Sequence, residues 1–141
     1  MQISATGADE NFQLALMDDA SVIAFGASSE ITMTHVHNTG LTMTHTATGD
    51  DTPMVLQLKS EEDAITAGET IASIEFAAGD SDGTDGATVA AGIHAVAEGT
   101  FSASANATKL VFTTGVSESA AASATAKMTL TSAGDLTIPV D

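Results

Sequence analysis

Three of the four histidines of this chain lie in one short segment with the spacing of metal ligands. His35 and His37 are separated by one residue, and His45 follows eight residues later. If residues 31–37 form a strand, the rings of His35 and His37 project from the same face. Three copies around an axis would offer six imidazole nitrogens, which suits octahedral iron, nickel or cobalt better than tetrahedral zinc. The alternative is that these rings lie on a polar sheet face beside threonines.

A second candidate metal site is a glycine-rich acidic loop at residues 79–86. Asp80, Asp82 and Asp85 alternate there with glycine, serine and threonine. Ca²⁺ takes six to eight oxygen ligands, so these carboxylates together with backbone carbonyls would suit it. The alternative is a solvated hairpin loop in which Asp and Gly satisfy turn geometry.

Arrangements typical of enzymes are scarce in the sequence. No serine lies in a Gly-x-Ser-x-Gly motif. The acidic run at residues 61–63 offers paired carboxylates, but glycosidases line their sugar sites with aromatic rings, and this chain has no Trp or Tyr. The sequence predicts a protein that is not an enzyme, with no cofactor beyond the two candidate ion sites.

The charge of the chain excludes two classes of partner. Nineteen acidic residues face three lysines, Lys59, Lys109 and Lys127, and the net charge is −16. Binding to nucleic acid or to an anionic membrane requires clustered Lys and Arg. We therefore expect neither partner.

The elements that must position the candidate histidines follow from alternation with period two. Ile31, Met33, His35 and His37 share one face of a predicted strand, and a second predicted strand runs from Leu41 to Thr46. The Asn38-Thr39-Gly40 segment between them favours a tight hairpin connection. The sequence therefore predicts a β-hairpin that carries His35, His37 and His45.

The same alternation recurs along the rest of the chain. Further strands are predicted at residues 12–17, 21–25, 53–59, 70–77, 87–97, 109–114, 127–131 and 136–140. The strand at 70–77 is expected to carry a bulge, because Ile71 is out of phase with Ile74 and Phe76. The Ala/Ser run at 117–126 has no amphipathic stripe and is predicted to be a loop. The fold class is therefore all-β, an antiparallel β-sandwich or an interleaved β-fibre module.

The composition also favours association of identical chains. Hydrophobic residues make up 43% of the chain, but there is no Trp, Tyr or Cys and only five Phe. Because alanine buries little surface, a single globule would have a thin core, which copies around an axis would thicken. Residues 1–50 are predicted to form an N-terminal strand and hairpin region and residues 51–141 a sandwich-like region, with one continuous domain as the alternative.

Several segments, in their order, resemble the tail fibre proteins of marine and freshwater bacteriophages. They are residues 19–26, 30–35, 39–41, 53–59, 67–76, 87–97, 108–114 and 127–138. Each segment alone is common, and the order of the set carries the resemblance over residues 18–138.

The resemblance implies a structural virion protein, a homotrimeric and elongated fibre module without catalysis that is extracellular after lysis. Its implied partners are its own copies, other virion proteins and a host surface receptor. Three alternatives remain open at this stage: a capsid decoration or cement protein, a receptor- or carbohydrate-binding fibre tip, and a self-assembling extracellular filament subunit.

Overall fold

Eight antiparallel β-strands, and no helix, make up the regular structure of the residues described by the computed structural model, namely 16–77, 88–115 and 119–139. The strands are β1 (Val22–Phe25), β2 (Ile31–Val36), β3 (Gly40–His45), β4 (Thr70–Ala77), β5 (Val89–Ala97), β6 (Thr108–Thr114), β7 (Met128–Leu130) and β8 (Leu136–Thr137). The all-β prediction is confirmed. The chain divides into two compact units, Met1–Leu56 and Gln57–Asp141, each of which contains one sheet.

The first unit holds a three-stranded meander in the order β1-β2-β3. The predicted hairpin is confirmed, with Met33 opposite Met43 and Ile31 opposite His45. Its turn closes through a bond from the Thr39 amide to the Val36 carbonyl (3.0 Å). Asn38 at the third turn position has a φ of 55°, a left-handed conformation that asparagine tolerates well.

The second unit holds a five-stranded sheet in the order β4-β5-β6-β7-β8. The pairing of β4 with β5 shows a register shift between Thr70 and Ala72 and another between Phe76 and Ala77. The bulge predicted from the phase change after Ile71 is therefore confirmed. Between the two shifts Ile74 faces Ile93, so the apolar residues of β4 and β5 return to one common face.

Three of the four buried hydrophobic residues of the described chain lie on the opposite side of the same sheet, and the fourth, Ala97, ends β5 on the side of Ile93. On the opposite side the loop at residues 119–126 folds back, with Ala120 fully buried and its amide bonded to the Val89 carbonyl (2.7 Å). Val96 and Val111 are buried on this side as well. The predicted loop is confirmed over residues 119–126, and its small side chains allow it to lie close to the sheet.

Two predicted strands differ from the structure. Residues 53–59 alternate in the predicted manner, yet they lie in no sheet, and no backbone hydrogen bond joins them to another described residue. Alternation gives a segment strand character, but a strand forms only where a partner strand is in reach. The last strand is shorter than predicted, since β8 ends at Thr137. Most of the predicted strand at 12–17 lies outside the described residues.

Within the described ranges, no helix is long and apolar enough to cross a membrane.

Candidate functional site

His35 and His37, the first candidate metal ligands, lie together at the turn end of the β2–β3 hairpin. The Nδ1 atom of His37 is 3.0 Å from Asp19 Oδ1, and that of His35 is 3.7 Å from the same oxygen. Asp19 is brought there by the tight turn that precedes β1, where Ser21 accepts a hydrogen bond from the His35 amide (3.0 Å). The two imidazoles thus converge on one carboxylate.

This cluster is open to solvent and has the geometry of a hydrogen-bonded group. All three side chains are about half exposed or more. A carboxylate only accepts hydrogen bonds, so Nδ1 of His37 carries the proton that it shares with Asp19. No set of three or more His, Asp or Glu side chains with metal-binding geometry occurs in the part of the chain that the structure describes. An ion shared among several copies stays a prediction.

His45 does not belong to this cluster. It faces Ile31 at the opposite end of the hairpin, whereas His35 faces Leu41. Four residues of strand separate the two positions, on the order of 13 Å. The Nδ1 atom of His45 instead lies 3.2 Å from the Thr52 carbonyl. Sequence spacing suggested proximity across the hairpin, and the register excludes it.

The acidic loop with Asp80, Asp82 and Asp85 lies outside the described residues, so the calcium site stays a prediction.

The most enclosed polar group of the described chain is one that the sequence did not single out. His94 on β5 is fully buried, and both of its ring nitrogens have partners. Nδ1 lies 2.8 Å from Ser73 Oγ on β4, and Nε2 lies 2.9 Å from Thr113 Oγ1 on β6. Thr113 in turn donates to the carbonyl of Ala120 in the covering loop. This set of four residues is called the His94 network below.

The bond to Ala120 fixes the tautomer of His94. Thr113 has one hydroxyl proton, and it is donated to the Ala120 carbonyl. The Thr113 oxygen must therefore accept from His94, so Nε2 carries the ring proton and Nδ1 accepts from Ser73 in the neutral ring.

Gly92 makes room for this ring. A Cβ atom at Gly92 would lie 2.4 Å from His94 Nε2 and 2.5 Å from Cε1. Gly92 precedes His94 by two residues on the same face and pairs with Thr113. The imidazole therefore lies over a position that only glycine leaves free.

The His94 network resembles a nucleophile–base pair in one respect only. The distance from Ser73 Oγ to Nδ1 is that of a serine and its general base. However, the other nitrogen meets a threonine rather than a carboxylate, so an imidazolium formed by proton transfer would be buried without a counter-charge. The geometry of the His94 network favours a structural role, in which its hydrogen bonds join β4, β5, β6 and the covering loop.

The other face of the five-stranded sheet carries the largest ordered set of apolar side chains in the described chain. The sheet register places twelve positions in three rows, and this surface is called the open face. The rows are Ala72-Ala95-Leu110-Leu130-Leu136, Ile74-Ile93-Phe112-Met128 and Phe76-Ala91-Thr114. None of the twelve residues is buried, and Phe76 and Leu136 are 55% and 61% exposed.

A shallow depression marks the middle of the open face. It has a volume of about 140 Å³, and Leu58 lies beside it together with residues of β4, β5 and β6. Its lining is almost wholly apolar, so it offers no polar group to orient a small substrate. Its chemistry is that of a surface against which apolar side chains pack.

Comparison with protein-family models, with curated proteins and with solved structures found no match for this chain.

Proposed function

We propose that this chain is a structural virion protein, a homotrimeric tail fibre or fibre-like module that lacks catalytic activity. The observation that carries the proposal is the open face: an ordered, apolar and uncharged sheet surface on which six of the twelve residues are exposed and six are half-buried.

The balance of buried and exposed side chains supports self-association. Among the described residues only four hydrophobic side chains are buried, whereas eighteen large hydrophobic side chains are exposed. Scattered exposed apolar residues are ordinary, but a contiguous set on one sheet face marks an interaction surface. Identical copies are the simplest partners that could cover the open face, since most soluble oligomers are symmetric homo-oligomers.

The chemistry of the polar groups supports a role without catalysis. Solvent-exposed His35 and His37 lie beside the carboxylate of Asp19, and the His94 network is closed off inside the second unit. The resemblance of residues 18–138 to tail fibre proteins supplies the virion context. An interleaved or sandwich-like arrangement of the sheets of three chains belongs to the same proposal.

Sedimentation velocity of the purified chain, followed by small-angle scattering, tests the assembly. We expect a single species of three chains and an elongated particle. A monomer at micromolar concentration would contradict the proposal, and a squat trimer would favour the capsid decoration alternative.

Immunogold electron microscopy of particles from a lysate in which the chain is produced tests the virion role. Gold on tail fibres is the expected result. Gold over the capsid shell would contradict the fibre role and support a capsid cement protein. Gold on extracellular filaments would contradict any role in the virion.

A further inference from the structure

We infer that the open face is the surface through which copies of this chain pack against one another, each open face against the open faces of its neighbours. The inference rests on the proposed self-association and assigns it to one side of one sheet.

Charge distinguishes the two sides of this sheet. Copies that each carry a net charge of −16 repel one another, so they approach most easily where no charge is present. Eleven of the twelve open-face residues are apolar and the twelfth is Thr114. The charged residues of β4 and β6, Glu75 and Lys109, alternate onto the other side of the sheet.

The size of the open face follows from the spacing of the sheet. With strands about 4.8 Å apart and about 6.8 Å between alternate residues, twelve positions cover roughly 400 Å² in projection. The largest apolar patch of a typical monomer has about this size and is often a functional surface. It is about half of the roughly 800 Å² that each partner gives to a standard two-body interface, so copies that pack through it must bury further surface beside it.

The relief of the open face also suits a partner of the same kind. Ala72, Ala91 and Ala95 are small positions among larger neighbours, and the depression beside Leu58 lies next to two of them. The larger side chains of a facing copy can enter such gaps, as in two sheets that pack face to face.

Cysteine alkylation in the intact oligomer tests the inference, because the chain has no cysteine of its own. Phe76→Cys and Leu136→Cys place a thiol on the open face. Glu75→Cys and Thr137→Cys are matched controls, since each is the exposed neighbour on the same strand with its side chain on the other side. We expect alkylation at the open-face positions to be slower by about tenfold or more, as for groups that react only after local opening.

The outcomes separate the inference from the proposed function. Equal rates at both members of each pair in a trimeric chain would overturn the inference and leave the trimer standing. A monomeric chain would contradict both the inferred interface and the proposed trimer. Protected open-face thiols in a particle of two chains would keep the inference and overturn the trimer.

A charge-insertion pair gives a second, independent test. Leu110→Glu puts a carboxylate in the middle of the open face, and Thr137→Glu puts the same carboxylate at an exposed position on the other side of the same sheet. Sedimentation should show loss of the oligomer for L110E only. An L110E chain that is folded and remains associated would overturn the inference. If circular dichroism shows that L110E does not fold, the alkylation rates alone test the inference.

Discussion

At the scale of single residues, the feature with the clearest consequences is the room that Gly92 leaves for His94. The imidazole occupies the space of the missing side chain and so reaches Thr113 on the next strand. A buried donor or acceptor that loses its partner costs about 1–3 kcal/mol of folding free energy. Small changes at this point should therefore have large effects.

Gly92→Ala is the first test of this arrangement. The added methyl group overlaps His94 Nε2 and must displace the ring from Thr113, so we expect the free energy of unfolding to fall by roughly 1–3 kcal/mol. Urea denaturation followed by circular dichroism measures the change. Gly99→Ala is the matched control, because a Cβ atom at Gly99 meets nothing within 4 Å. Equal stability of the two variants would contradict the packing described.

Thr113→Val tests the hydrogen bonds without a change of shape. Valine leaves both His94 Nε2–H and the Ala120 carbonyl unpaired in a buried environment, and we expect a loss of about 1–3 kcal/mol in unfolding free energy. Thr113→Ser keeps the hydroxyl and should retain most of the stability. If valine and serine behave alike in denaturant titrations, the hydroxyl does not join the loop to the sheet.

At the scale of elements, Glu98 links the loop after β5 to the turn between β7 and β8. Its Oε2 accepts a hydrogen bond from the Ser132 amide (3.1 Å). Bonds from the Ser132 side chain and backbone, with a smaller contribution from the charge of Lys109, hold the pKa of Glu98 below its ordinary value of 4.5. The carboxylate is fully exposed, so its contribution is modest and sensitive to salt.

Glu98→Gln should lower the melting temperature near pH 7 and have less effect in acid. A carboxyl whose folded-state pKa is depressed stabilises the fold above its unfolded pKa, and this is lost as the pH falls through the folded value. The difference between wild type and variant should therefore shrink below pH 4.5. Melting curves across this range measure it, and Glu62→Gln, at an exposed acid in an extended segment, is the control. A difference that grows in acid would contradict the assignment.

At the scale of the whole molecule, charge and apolar surface act in opposite directions. In the oligomer that we propose, association brings several charges of −16 together, while it removes the open face from water. Burial gains about 25 cal/mol per Å², so a face of roughly 400 Å² in each copy contributes on the order of 10 kcal/mol before the cost of association. Electrostatic repulsion between copies determines how much of this free energy remains as net stabilisation of the oligomer.

Salt should therefore strengthen the oligomer. Screening at about 0.5 M salt shortens the reach of the repulsion to a few ångströms, whereas at about 0.01 M it extends to about 30 Å. We expect the midpoint concentration for dissociation to fall at least several-fold over this range, measured by sedimentation. Sucrose at matched density is the control for non-ionic effects. An interface held by ion pairs would weaken with salt instead and would contradict the apolar contact.

The sequence by itself placed all eight strands of the described residues, because alternation with period two is a local property. It placed the β2–β3 hairpin and the bulge at the start of β4, and it located the loop that follows β6. It also predicted that His35 and His37 lie close together, and they do, although β2 ends at Val36 and His37 lies in the turn rather than on the strand. From the charge of −16 alone we expect neither nucleic acid nor an anionic membrane as a partner.

Only the tertiary structure decided which positions face one another. The partners of His94 lie 21 and 19 residues away along the chain, and strand register alone joins them. Register also separated His45 from His35. Residues 53–59 alternate as well, yet within the described ranges no strand pairs with them. Alternation assigns each side chain to one of two faces, but it cannot tell which face a loop will cover. The loop at 119–126 covered the side with His94, and so the apolar side became the open face.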